Sequence, residues 1–183
     1  WSHMEGNKCP RCSKRTPGEV VSELHQLYRK GIEEGVRRYE SKHAGTKIDT
    51  LPKLIVWDWG WPNDWAAQIV PNLPKDSSLM SVSEWELPIN RGGVPTEVGE
   101  YSISAVGPGP RAKRHWAIAR NNGLKIIAKI QAGTTWELGA VPYVPAVENV
   151  AQHAYNLREE RVSGLMTGWT LGGYPDSPNL EVV

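Results

Sequence analysis

The stretch Arg111–Gln131, RAKRHWAIARNNGLKIIAKIQ, decides the fold class. Its first half has helical character up to Asn121. Asn122-Gly123 then supplies a stop, because glycine enters the left-handed backbone region without steric cost. The remainder alternates with a period of two. Leu124, Ile126, Ala128 and Ile130 share one apolar face, and Lys125, Ile127, Lys129 and Gln131 share the other. A helix stopped by Asn-Gly and continued as a strand is the repeating step of an α/β chain.

The same step recurs on both sides. Upstream, Thr16-Pro17-Gly18-Glu19 combines an N-cap, a proline at the first helical position and a capping-box glutamate. Val20, Val21, Leu24, Leu27, Tyr28, Ile32 and Val36 then keep helical spacing to about Tyr39. Leu54–Trp59 reads as a strand, and Asn63-Asp64 opens a short helix running to Val70. Leu79–Trp85 reads as the second strand and residues 88–99 as a loop. Glu100–Val106 is a further short strand candidate, and Gly107-Pro108-Gly109-Pro110 a rigid turn. Downstream, Pro142–Glu160 is a helix and Gly164–Trp169 the last strand. The expected fold is α/β, built of parallel strand–helix units with about four main strands. A small doubly wound sheet or half of a (β/α)8 barrel would satisfy it. The chain has 183 residues and a full barrel needs about 250. Residues 1–183 are expected to form one domain, with residues 1–15 as a cysteine-bearing N-terminal segment. The chain begins at Trp1 rather than methionine, and Ser2-His3-Met4 is read as native sequence within a longer protein.

Composition narrows the partners. A net charge of +1 from mixed signs gives no electrostatic reason to expect nucleic acid or a membrane surface. No apolar run approaches the roughly 20 residues that span a bilayer. Nine Trp and six Tyr occur with no Phe. Both residue types join an apolar body to a hydrogen-bonding handle, which suits wet clefts as well as cores.

The chemistry collects at the strand ends. They read Trp57-Asp58-Trp59, Ser83-Glu84-Trp85, Lys129-Ile130-Gln131 and Thr167-Gly168-Trp169. Parallel α/β folds bind ligands at the carboxyl ends of their strands. Strand parity puts Trp57, Trp59, Ser83, Trp85, Lys129 and Gln131 on the inward face, with Trp169 joining them if its strand is regular. Indole walls and scattered hydrogen-bonding groups suit a sugar ring. Three carboxylates, Asp58, Glu84 and Glu137, are the catalytic candidates, because glycoside hydrolysis runs on paired carboxyl groups. Each also fits a substrate-binding, salt-bridge or surface role. Parity sends Asp58 and Glu84 toward the helices unless a bulge turns them inward. Arg114 and His115 on the third helix are expected at the surface. Cys9 and Cys12, in Cys-Pro-Arg-Cys, fit a structural knuckle (zinc or disulfide), reduced bystander thiols or a redox pair. No cofactor is required, and a structural zinc at Cys9 and Cys12 is the one metal considered.

Three segments carry a resemblance: Trp57-Asp58-Trp59-Gly60-Trp61-Pro62, Ser81-Val82-Ser83-Glu84-Trp85, and Gly168-Trp169-Thr170-Leu171-Gly172-Gly173-Tyr174-Pro175. Together they resemble bacterial proteins in the orbit of the β-hexosaminidase-like glycoside hydrolases of the family-twenty type. Cys9-Pro10-Arg11-Cys12 is similar to such proteins as well. The resemblance implies the C-terminal half of a TIM barrel, a hexosaminide or related glycan as ligand, and Trp57, Trp85, Trp136 and Trp169 as pocket walls. It also implies a general acid in an Asp-Glu pair after the fourth barrel strand, and a substrate acetamido group as nucleophile. This chain contains no Asp-Glu pair, so the acid would lie before Trp1. A non-catalytic sugar-binding or structural half-barrel, and a small metal- or redox-linked α/β domain, are the alternatives. Half a barrel leaves open sheet edges, which predicts self-association or a missing N-terminal half as partner.

Overall fold

The structure is a computed structural model that describes residues 10, 13–133, 135, 143–168 and 177–183. Cys9, Cys12, Trp136, Glu137 and Trp169 lie outside the described residues. The elements run α1 (Pro17–Lys42), β1 (Ile55–Trp57), α2 (Trp65–Ile69), β2 (Ser78–Val82), β3 (Pro88–Arg91), β4 (Val94–Glu97), α3 (Pro110–Asn121), β5 (Lys125–Lys129), α4 (Val147–Glu159) and β6 (Leu165–Met166). Four strands form a parallel sheet in the order β1-β2-β5-β6. Each strand of this sheet is laid beside the one before it. A barrel wall grows in that way, whereas a doubly wound sheet reverses direction at a switch point.

Contacts divide the chain into two compact units. The first runs to Leu79 and takes in Ile118–Leu124; the second comprises Met80–Ala117 and Lys125–Val183. In the first, α1 starts at the capping box expected of it. The Glu19 amide donates to Thr16 Oγ1 at 3.2 Å and the Thr16 amide donates to Glu19 Oε2 at 2.7 Å. Thr16's backbone hydrogen bond, seconded by its hydroxyl, holds the Glu19 carboxyl below the ordinary carboxylate range. The helix docks through Gly18, Val21 and Ser22, its buried residues. Ser22 Oγ donates to the Ile69 carbonyl at 3.2 Å. A Cβ on Gly18 would stand 2.6 Å from the Gln68 oxygen, so only glycine admits this approach to α2. The rest of the helical pattern is not core: Leu24, Leu27 and Tyr28 are exposed.

In the second unit, β5 and β6 pair in parallel register, Ala128 with Leu165 and Lys129 with Met166. All five residues of β2 are buried. The turn Gly107–Pro110 is tied to the end of β2, where the Gly109 amide donates to the Ser83 carbonyl at 2.7 Å. A Cβ on Gly109 would meet the Trp85 oxygen at 2.5 Å, which explains glycine there. Two expectations fail here. Residues 88–99 are not a plain loop but carry the antiparallel hairpin β3–β4, with Arg91 opposite Val94. Gly92 and Gly93 form its turn, at φ 60° and 84°, as a two-residue hairpin connection requires. Glu100–Val106 is a run of turns rather than a strand, and it buries Tyr101, Ile103 and Ala105.

Candidate functional site at the ends of β2 and β5

Beyond the carboxyl ends of β2 and β5, polar side chains gather in the second unit. Lys129 is the last residue of β5 and has no exposed surface. Its Nζ lies 4.8 Å from the centroid of the Tyr101 ring and donates to the Ile130 carbonyl at 3.3 Å. Burial pulls its pKa down to about 8, against the opposing pull of the Glu84 and Glu100 charges. Glu84, also fully buried, accepts from the Gln131 amide through Oε1 at 3.2 Å. Burial raises the pKa of Glu100, and Lys129 opposes that rise. Glu84, Lys129 and Gln131 are therefore brought together, with Tyr101 as an aromatic face under the ammonium.

Strand parity sends Glu84 to the helix side only while the strand stays regular, and Glu84 lies instead beside Lys129 and Gln131. β2 ends at Val82 and the chain bends at Ser83-Glu84, so strict alternation stops before the carboxylate. Ser83, expected inward, instead meets α4, where its Oγ lies 2.8 Å from His153 Nε2. All five residues of β2 are buried, so burial does not distinguish its two faces.

The Ser83–His153 contact has the outward form of a nucleophile and its base. Its surroundings say otherwise. A Cβ added to Gly107 would stand 2.7 Å from His153 Nε2 and 2.9 Å from Ser83 Oγ, so Gly107 packs directly against the pair, and both side chains are buried. Burial lowers the His153 pKa to about 4, and the neutral ring ties α4 to the end of β2. His115, expected at the surface, is fully buried on α3; Arg114 is at the surface, where it pairs with Glu86 at 2.6 Å.

Trp85 stands partly exposed beneath the guanidinium of Arg111, 4.3 Å from its ring centroid. One indole face is thus already taken by α3. In the first unit, Trp57 and Trp59 lie 5.8 Å apart with ring planes 35° to each other. Trp59 is 45% exposed, so it presents an open aromatic face. Asp58, between them, is fully buried.

Tyr101, Glu100 and Arg111 were not singled out by the sequence. Their signal was the Gly-Pro-Gly-Pro turn and the short segment before it, which deliver all three to the ends of β2 and β5. Among the described residues no group of three or more histidine, cysteine or acidic side chains could hold a metal ion. No described helix is long and apolar enough to cross a membrane. No family model matches the chain, no curated protein does, and no solved structure does.

Proposed function

We propose that the chain is a glycoside hydrolase-like protein that binds a hexosaminide or related glycan at the carboxyl ends of its parallel strands. The observation that carries this reading is the convergence of Glu84, Lys129 and Gln131 beyond β2 and β5, where α/β folds take their ligands. An ammonium and a carboxylate side by side supply a donor and an acceptor, the complement of adjacent sugar hydroxyls. Trp59 supports the reading separately, since an exposed indole face suits the C–H face of a pyranose. Glu84 is the carboxylate we assign to the substrate.

One observation favours a second reading, that of a non-catalytic binding module. Glu84 and Lys129 have no exposed surface and offset each other's charge, as a structural pair would. Hydrolysis of chromogenic N-acetylhexosaminides, run with the wild type and Glu84→Gln, separates the two. Turnover lost in the variant supports a catalytic Glu84. Sugar binding without turnover in either protein supports the binding module.

A further inference from the structure

The cluster at the ends of β2 and β5 is sealed as it stands. Glu84 and Lys129 have no exposed surface, and Gln131 is buried with them. A ligand of these groups, the carbohydrate of the reading above included, reaches them only if part of the wall moves. The described parts of that wall differ in how firmly they are held. β2 and β5 are neighbours in the parallel sheet. The turn Gly107–Pro110 is fixed to the end of β2 by the Gly109 amide, and Gly107 packs against Ser83 and His153. The segment 99–106 belongs to no helix or strand. It nevertheless carries the Tyr101 ring that lies 4.8 Å from Lys129 Nζ, and the Glu100 charge that acts on the same ammonium.

The two ends of this segment are unlike. Gly107 is wedged in place, whereas Gly99 is exposed and a Cβ there would meet nothing within 4 Å. The hairpin β3–β4 reaches back over the segment from the surface. Arg91 Nη2 donates to the Ser104 carbonyl at 3.0 Å and to Ser104 Oγ at 3.2 Å. We propose that residues 99–106 form a gate over Lys129, pivoting at Gly99 and latched by the exposed contact of Arg91 with Ser104. Opening carries Glu100 and Tyr101 off the ammonium together and leaves Glu84, Lys129 and Gln131 in place for the ligand. Hydroxyl groups of the ligand then take over from the aromatic face and the carboxylate that the gate withdraws. The element that moves is the one without regular structure, as expected of the least stable part of a wall. The gate rests on the carbohydrate reading for its ligand but not for its motion.

Competitive acetylation of the full chain with acetic anhydride, read lysine by lysine from peptide masses, tests the gate without any sugar. Lys125, exposed at the start of β5, is the internal standard. Hydrogen exchange of the β5 amides reports global opening in the same samples. In the wild type, Lys129 is expected to react at least tenfold more slowly than Lys125, in molecules whose β5 amides are still protected. Arg91→Ala, at an exposed position, is expected to raise the Lys129 rate at least fivefold and to leave Lys125 and β5 protection unchanged. A Lys129 that reacts only when β5 loses protection overturns the proposal. So does a Lys129 rate indifferent to Arg91→Ala. A gate that opens in this assay while no sugar binds stands, and it is then the carbohydrate reading that falls.

Discussion

Lys129 combines complete burial with a charge, and its proton affinity shows the cost. Its pKa falls from 10.5 to about 8. Between those values the unfolded chain holds a proton that the folded chain has shed. Stability from this group therefore rises with pH across the window, and the penalty is fully present below about pH 8. At most it amounts to about 3 kcal/mol. Denaturation midpoints of the wild type and Lys129→Met, measured from neutral pH to about pH 10, should show the wild type gaining on the variant. Parallel curves would mean that the ammonium is well solvated. His153 works at the other end of the scale. Its folded pKa of about 4 lies below the ordinary 6.5. Its neutral form thus contributes stability above about pH 6.5 that is lost as pH falls toward 4. His153→Gln should be less stable at neutral pH, yet less sensitive to acid over that window. An unchanged acid limb would show that other groups set it.

At the scale of elements, what the sequence disclosed depended on how local the signal was. The start of α1 was legible because Thr16, Pro17 and Glu19 act within a single turn. Thr16→Ala should cost about 1 kcal/mol of stability while Thr16→Ser stays near the wild type; equal losses in the two variants would contradict the cap. The passage from α3 to β5 was equally plain, since Asn122-Gly123 stops the helix and β5 alternates cleanly enough to place Lys129 and Gln131 on one face. The hairpin β3–β4 was missed although Gly92-Gly93 announced it. Pro88 and Pro95 argued against strands, yet an isolated two-stranded ribbon leaves edges where proline is tolerated. Parity could not place Glu84, because β2 ends at Val82 and the chain bends at Ser83-Glu84, beyond the reach of strict alternation. The pairing of Ser83 with His153 joins positions far apart in sequence and had no local signal at all.

The whole molecule adds the order of its strands. The sequence β1-β2-β5-β6 is the order in which a barrel wall grows, and among the described residues β1 and β6 are the outer strands of the sheet. The half-barrel reading was available from strand–helix alternation and chain length. The division into two compact units was not, because it depends on which distant segments touch. The tryptophans that opened the functional question take separate parts in the structure: Trp61 and Trp65 are core residues at 3% and 8% exposure, whereas Trp59 is open. That contrast makes fluorescence the direct probe of the central claim. Intrinsic tryptophan emission should be titrated with N-acetylglucosamine and a panel of other sugars, for the wild type and Trp59→Ala. The account predicts a saturable shift with an amino sugar, weakened at least several-fold in Trp59→Ala. No shift with any sugar would contradict it and leave the tryptophans as packing alone.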